Sequence, residues 1–236
     1  MKNMNREEFI IACKDKNIEL DDHQLWQFET YMHLLQEWNQ KMNLTAITEE
    51  NEVWEKHFYD SLLPFSDMEF NSLCDVGSGA GFPGIPVKIV HPDVEMTLLE
   101  PIQKRCRFLN TVIETLELKN VHVLSERAED HAKKNREKYD VVTARAVANL
   151  PVLMELCVPL MKVGGTFIAL KGKNGHEEVL EAQMAADLLG VKMIKEEVFE
   201  SENASRVNIY YEKVKSTPNK YPRNFGMIKK KPLGGK

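Results

Sequence analysis

The sequence predicts an α/β fold in which a doubly wound, mostly parallel sheet is preceded by a small N-terminal helical region. Three observations lead to this prediction. Short apolar runs alternate with stretches of helical periodicity from residue 72 onward. A glycine-rich segment, residues 77–84, directly follows the first of these runs. The last two apolar runs have no helical stretch between them, so we expect them to pair as an antiparallel edge hairpin.

The first 66 residues are predicted to be helical. Residues 4–18 form a short amphipathic stretch, and Asp21 or Asp22 can cap the helix that follows. That second helix has apolar side chains at steps of three and four residues: Leu25, Phe28, Met32, Leu35 and Trp38. The stretch 38–47 is expected to end it, and a third helix is expected to begin near Thr48.

Residues 67–217 are predicted to form the sheet and its covering helices. The helices are expected to begin at Pro83 and to cover 102–116, 150–161 and 177–189. The strands are expected at 72–76, 94–99, 121–124, 139–144, 165–170, 191–199 and 206–214. Repeated strand–helix alternation of this kind gives a parallel sheet with helices on both faces.

The glycine-rich segment has the composition of a ligand-binding loop. Gly77, Gly79 and Gly81 permit a positive φ and a close approach of the backbone to a ligand. Pro83 suits the first turn of the next helix, whose unpaired N–H groups would face that ligand. The third glycine comes one position too early for the dinucleotide fingerprint, and Phe82 occupies the reserved position, which disfavours NAD.

An acid follows the second predicted strand. Glu100 lies about twenty residues beyond the glycines, where a carboxylate can accept both hydroxyls of an adenosine ribose. The combination resembles the Rossmann-like domain of class I S-adenosylmethionine-dependent methyltransferases, with S-adenosylmethionine as the cofactor.

Ligands of open parallel sheets bind beyond the carboxyl ends of the strands, so the residues that follow strands three and four are candidates as well. Ala128 and Glu129 follow the third strand. Arg145 follows the fourth in a nearly apolar setting, where it could bind the cofactor carboxylate, a phosphate or a structural acid. His57 could line the cofactor mouth or could be an ordinary helix-terminal histidine.

Composition limits the remaining function classes. The four cysteines are isolated and lack histidines at ligand spacing, which argues against a metal site or a disulfide framework. No run reaches membrane-span length and no signal peptide is evident, so we expect a cytoplasmic protein without a membrane partner. The net charge is −5, yet residues 219–236 carry six basic residues and no acid. This basic tail, residues 218–236, is expected to be mobile when unbound and to bind RNA phosphates.

Several motifs together resemble the RsmG (GidB) family, bacterial methyltransferases that make 7-methylguanosine in small-subunit (16S) ribosomal RNA. The resemblance extends from about residue 22 to the tail. Its most specific part is Asp75-Val-Gly-Ser-Gly-Ala-Gly-Phe-Pro-Gly84. The other matching motifs are Trp38-Asn39, Asn43-Leu-Thr45, His57-x-x-Asp60-Ser61, Arg127-Ala-Glu129, Thr143-Ala-Arg145, Gly164-Gly165, Lys171-Gly172 and Tyr221-Pro-Arg223.

The resemblance implies roles for individual residues. Gly77, Gly79, Phe82, Ala128, Glu129 and Arg145 would contact S-adenosylmethionine, while Asn39, His57, Arg145 and Lys171 would face the RNA. One departure is Glu100-Pro101, where the family commonly has Asp-Ser. The motifs of amide, exocyclic-amine and cytosine-carbon methyltransferases are missing from the sequence. This agrees with guanine N7, which carries no proton to remove.

The expected substrate is therefore 16S ribosomal RNA or the small subunit, and the protein is expected to act as a monomer. Two alternatives stay open. One is methyl transfer to a small molecule or a protein, and the other is a non-catalytic RNA-binding factor in ribosome assembly.

Overall fold

A computed structural model describes residues 4–201 and 204–234 of the chain. Its seven strands are β1 (Ser72–Val76), β2 (Glu95–Leu99), β3 (Val121–Leu124), β4 (Tyr139–Arg145), β5 (Met161–Gly172), β6 (Val191–Ser201) and β7 (Ala204–Lys213). They form one sheet in the order β3-β2-β1-β4-β5-β7-β6. The pairs β1–β4, β2–β3 and β4–β5 are parallel, and β7 runs antiparallel to β5 and to β6. The predicted parallel sheet with an antiparallel edge hairpin is confirmed.

The chain forms two compact units. The first contains the residues up to 71 together with 78–125, and the second contains 72–77 together with the residues from 126 onward. The sequence-predicted domain boundaries, after residues 66 and 217, stay a prediction.

Helices make up the N-terminal part of the first unit. They are α1 (Arg6–Lys14), α2 (Asp22–Met42), α3 (Glu50–Glu52), a π-helix (Val53–Tyr59), α4 (Asp60–Leu62) and a 3-10 turn (Leu63–Phe65). Asn5 and Asp21 begin α1 and α2 with complete capping boxes, so the predicted cap at Asp21 is confirmed. The helix α2 ends at Met42, and Asn43 then adopts a left-handed conformation with φ +50°. The same unit also contains α5 (Gly84–Val90) and α6 (Gln103–Thr115).

The second unit contains the helices α7 (Ala128–His131), α8 (Leu150–Cys157), α9 (Gly175–Leu189) and α10 (Phe225–Lys230). The prediction of a helix from 150 to 161 was wrong at its end. A 3-10 turn, Val158–Leu160, follows α8, and Met161 already begins β5. Pro159 lies in that turn, where it cannot donate the hydrogen bond that would extend the α-helix.

Residues 217–233 of the C-terminal segment are packed and hydrogen-bonded within the second unit, which corrects the expectation of a mobile tail. Arg223 donates two side-chain hydrogen bonds, of 2.8 and 2.6 Å, to the fully buried carboxylate of Glu155 in α8. The guanidinium of Arg136 donates to backbone carbonyls of residues 217, 218 and 221. The buried side chains of the segment are Tyr221, Ile228 and Leu233. Lys236 lies outside the described residues.

Among residues 4–201 and 204–234, no helix has the length and hydropathy needed to cross a bilayer. Within the same residues, no group of three or more His, Cys, Asp or Glu side chains is placed to hold a metal ion. The four cysteines are buried free thiols.

Candidate functional site

The candidate residues belong to both units, and each set is described within its own unit. In the first unit the chain turns sharply after β1. The amides of Gly81 and Phe82 both donate to the carbonyl of Ser78, at 2.7 and 3.1 Å, and the amide of Ser78 donates to the carbonyl of Leu99 at the end of β2. Gly79 has φ +59° and Gly81 has φ +98°, so the positive φ values predicted for this loop are confirmed.

Glu100 holds this loop against the start of the next helix. One carboxylate oxygen accepts a hydrogen bond of 3.0 Å from the amide of Gly79, and the other accepts one of 2.8 Å from the amide of Ile102 just before α6. The guanidinium of Arg105 lies 3.6 Å from the first oxygen. Glu100 is only 2% exposed. Because a carboxylate has about four acceptor positions, it retains capacity for hydroxyl donors of a ligand.

Tyr31 of α2 is in contact with the backbone of this loop. Its hydroxyl donates a hydrogen bond to the carbonyl of Ala80. A β-carbon added at Gly81 would lie 2.7 Å from that hydroxyl and 2.7 Å from the side chain of Ile85. Gly81 is therefore required by the packing of the protein itself, as well as by its positive φ.

An aromatic stack connects the loop with the N-terminal helices. The ring of Phe82 stacks with His57, with centroids 4.3 Å apart and planes 14° apart, and with Tyr31, with centroids 5.3 Å apart and planes 26° apart. Phe82 is 5% exposed and His57 is 6% exposed. Since the Phe82 ring is covered in this way, the backbone is what this residue can offer to a cofactor.

Asn39 and Thr45 position the loop that follows α2. The Asn39 side-chain amide donates to the carbonyl of Thr45 at 3.0 Å and accepts from its amide at 2.9 Å. The Thr45 hydroxyl lies 2.8 Å from Nε2 of His57 and accepts from the amide of Ile47. Asn39 and His57, both predicted to face RNA, thus contact the same threonine.

In the second unit, Gly77 directly follows β1 and has φ +73°. A β-carbon at this position would lie 2.6 Å from a methyl group of Val147. Val147 comes two residues after Arg145, and Ala146 between them has φ +56°, an uncommon conformation for a residue with a side chain. Ala146 and Val147 were not predicted as site residues, because the apolar stretch around them contains no sequence pattern that indicates a left-handed turn.

Arg145 and Lys171 end neighbouring strands. Arg145 is the last residue of β4 and pairs in register with Leu170 of β5. Lys171 is nearly buried, and its ammonium group lies 2.7 Å from a carboxylate oxygen of Glu178 and donates to the carbonyl of Ala148. The same Glu178 oxygen accepts the amide of Leu150 at the start of α8. Lys171 therefore holds the segment that follows β4 in place, a contact that no pattern in the sequence predicts.

Ala128 and Glu129 begin α7 after β3, and both are buried, at 7% and 8% exposure. His131 fixes this short helix. Its Nδ1 lies 2.6 Å from Glu126, and its Nε2 lies 2.7 Å from the hydroxyl of Tyr139 in β4. The guanidinium of Arg127 lies over the ring of Phe225 in α10, 5.2 Å from its centroid.

Comparison with known proteins connects these features to one family. The profile of GidB, described as rRNA small subunit methyltransferase G, matches residues 24–207. A relative from Lysinibacillus sphaericus, named ribosomal RNA small subunit methyltransferase G, is 48% identical over 98% of this chain and 100% of its own length. A relative of the same name from Staphylococcus aureus strain Newman is 48% identical over 93% of this chain and 95% of its own.

A solved structure shows the same fold at low identity. The crystal structure of M. jannaschii TYW2 in complex with AdoMet superposes with a TM-score of 0.56, at 17% identity, over 71% of this chain and 79% of that one. This likeness supports a class I methyltransferase fold.

Proposed function

Because the chain belongs to the GidB family of ribosomal RNA small subunit methyltransferases G, we propose that it methylates N7 of a guanine in small-subunit (16S) ribosomal RNA. S-adenosylmethionine is its methyl donor. The observation that carries the proposal is the glycine loop braced by Glu100, whose buried carboxylate holds the Gly79 amide. The two alternatives, another methyl acceptor or a non-catalytic assembly factor, are outcomes of the test below.

We assign the cofactor to residues that follow the first four strands. The glycines at 77 and 79 leave the backbone accessible after β1, and Glu100 has acceptor capacity for the ribose hydroxyls. Glu129 and Ala128 begin a helix after β3, where an adenine ring can meet backbone groups. Phe82 contributes its backbone, and Arg145 is assigned to the cofactor carboxylate or to the substrate.

The reaction places modest demands on the protein. When held by Gly79, Glu100 and Glu129, S-adenosylmethionine would supply a methyl group activated by its positively charged sulfur, and the lone pair of guanine N7 would be the acceptor. Guanine N7 carries no proton, so no general base is required. The residues of the site must align the base and accommodate its growing positive charge. We therefore expect the candidate substrate residues Asn39, His57, Arg145 and Lys171 to act through placement.

The RNA-binding surface that we propose, called the α10 surface, consists of the end of α10 and Lys231, which follows it. Lys229, Lys230 and Lys231 are exposed, while Ile228 and Arg223 fix the segment to the second unit. A fixed basic helix can contact phosphates with less loss of conformational entropy than a mobile tail. We further propose that the protein acts as a monomer in the cytoplasm, which native mass measurement and cell fractionation would test.

Methyl transfer from labelled S-adenosylmethionine tests the proposal. The acceptors are naked 16S ribosomal RNA, intact small subunits and a transfer RNA pool, and the product is mapped by borohydride reduction and chain cleavage at 7-methylguanosine. We expect one labelled guanine in ribosomal RNA and none in transfer RNA. Label in another acceptor would favour the first alternative. Binding of RNA without any transfer, under conditions that saturate the cofactor, would favour the second.

The α10 surface is tested with two matched variants. Changing Lys229, Lys230 and Lys231 to Gln should weaken RNA binding and flatten its salt dependence by up to about 0.7–0.9 per lost phosphate contact. Changing three exposed lysines of the first unit, Lys14, Lys16 and Lys119, alters the net charge equally. If both variants weaken RNA binding equally, net charge alone explains the effect, and this outcome would contradict a specific RNA-binding surface at α10.

A further inference from the structure

We infer that His57 is a positioning residue that couples the loop after α2, residues 43–48, to the glycine-rich loop at residues 78–82, called the cofactor loop here. This inference rests on the proposed function, since it assumes that both RNA and cofactor bind. It names a coupling between the two binding events that family membership alone does not supply.

His57 is in contact with Phe82 of the cofactor loop. Their rings are nearly parallel with centroids 4.3 Å apart, and Phe82 also stacks with Tyr31, with centroids 5.3 Å apart. The amide of Phe82 closes the turn onto the carbonyl of Ser78. A displacement of the His57 ring is therefore transmitted to a backbone segment of the cofactor loop, because close-packed rings have no free space to absorb it.

His57 is also in contact with the loop 43–48. Nε2 of the ring lies 2.8 Å from the Thr45 hydroxyl, which also accepts from the amide of Ile47. The Asn39 side chain ties both backbone groups of Thr45 to α2. Loop residues Ala46 and Thr48 are exposed. The loop thus has an exposed surface, where a macromolecule can bind, and one polar contact to the buried histidine.

The backbone around His57 has an uncommon conformation. His57 lies within a seven-residue π-helix, Val53–Tyr59. Such widened turns are rare and are concentrated at functional sites, because they re-aim a side chain at a cost in hydrogen-bond geometry. Here the π-helix contains the side chain that contacts Thr45 through Nε2 and stacks on Phe82.

A catalytic role is less consistent with this geometry. His57 is 6% exposed, Nε2 is engaged by Thr45, and one ring face is covered by Phe82. The proposed reaction has no proton for a histidine to take. Binding of RNA at the loop should instead change cofactor affinity through the Thr45–His57–Phe82 chain, and cofactor should change RNA affinity by the same factor.

The test measures this coupling without turnover. The dissociation constant of S-adenosylhomocysteine is determined by calorimetry with and without saturating small subunits, for the wild type and for Thr45→Val, Thr45→Ser and His57→Phe. The wild type should show tighter binding with RNA by about 5-fold or more. Thr45→Val and His57→Phe, which lose the polar contact, should bring the ratio close to 1. Thr45→Ser keeps the hydroxyl and is the matched control, so it should retain the wild-type ratio.

The outcomes separate this inference from the proposed function. Unchanged coupling in Thr45→Val, or a wild-type ratio of 1, would overturn the inference while methyl transfer by the wild type continued. Absence of transfer to ribosomal RNA by the wild type would overturn the proposed function instead. A loss of kcat in His57→Phe with intact coupling would make His57 a catalytic residue. If Thr45→Val fails to fold, as judged by thermal melting, His57→Phe is the deciding variant.

Discussion

The ion pair between Arg223 and Glu155 is predicted to fix the C-terminal segment, and Arg223→Ala tests this directly. Glu155 is fully buried and accepts from the amide, Nε and Nη2 of Arg223 at 2.9, 2.8 and 2.6 Å. These hydrogen bonds also raise the pKa of Arg223. Removing the guanidinium leaves a buried carboxylate without its charge partner, which costs about 3–5 kcal/mol. At about 2–4 °C per kcal/mol for a chain of this length, the melting temperature should fall by roughly 6–20 °C.

Differential scanning calorimetry measures the effect, and a double-mutant cycle isolates the pair. Glu155→Leu combined with Arg223→Met replaces both charges with apolar groups, so it should be far less destabilising than Arg223→Ala alone. The reasoning would be refuted by an Arg223→Ala protein that melts within about 2 °C of the wild type. It would equally be refuted by strictly additive effects of Glu155→Leu and Arg223→Met, since partners in direct contact must couple.

Three further predictions concern the cofactor loop and pH. Glu100→Gln should weaken S-adenosylmethionine binding by on the order of 1–3 kcal/mol in calorimetry, because it removes a charged acceptor; an unchanged affinity would assign the ribose to another residue. Gly77→Ala should destabilise the protein even without cofactor, by about 1–2 kcal/mol, since φ is +73° and the β-carbon meets Val147; full stability would contradict this. The pKa of Glu137 is lowered from 4.5 because, although burial raises it, hydrogen bonds and charge from Lys213 outweigh burial. Because the pKa of Glu137 is lower in the folded protein, its ionised carboxylate stabilises the fold above pH 4.5, and this stabilisation is lost as the pH falls through the folded pKa. The stability difference between the wild type and Glu137→Gln, followed by melting curves, should therefore shrink in acid.

The sequence predicted most of the fold because local chemistry and tertiary structure agree in the parallel half of the sheet. The short apolar run before Gly77 can only be a buried strand. The capping box formed by Asp21 and Gln24 can be recognised directly in the sequence. The run around Pro159 is apolar throughout, and periodicity cannot separate a buried helix from a buried strand there. The predicted helix therefore extended four residues too far, from Cys157 to Met161.

The candidate site was predicted by position along the strands, and its contacts were not predictable. Gly79 and Glu100 are 21 residues apart, yet their hydrogen bond follows once both are placed at strand ends. The contact of His57 with Phe82 depends on a π-helix, for which the sequence has no signal. In the C-terminal segment, composition indicated basic residues and mobility. The buried partner of Arg223 lies 68 residues earlier, and no local pattern reports it.

The place of β7 in the sheet has a consequence for synthesis of the chain. This strand is the last to be translated, yet it lies between β5 and β6, which precede it. Until the ribosome has delivered residue 213, the edge of β5 that β7 will cover is an open template for pairing with other chains. Nascent chains that stall before β7 emerges should therefore be prone to aggregate and to require chaperones, even though the first unit is by then completely translated.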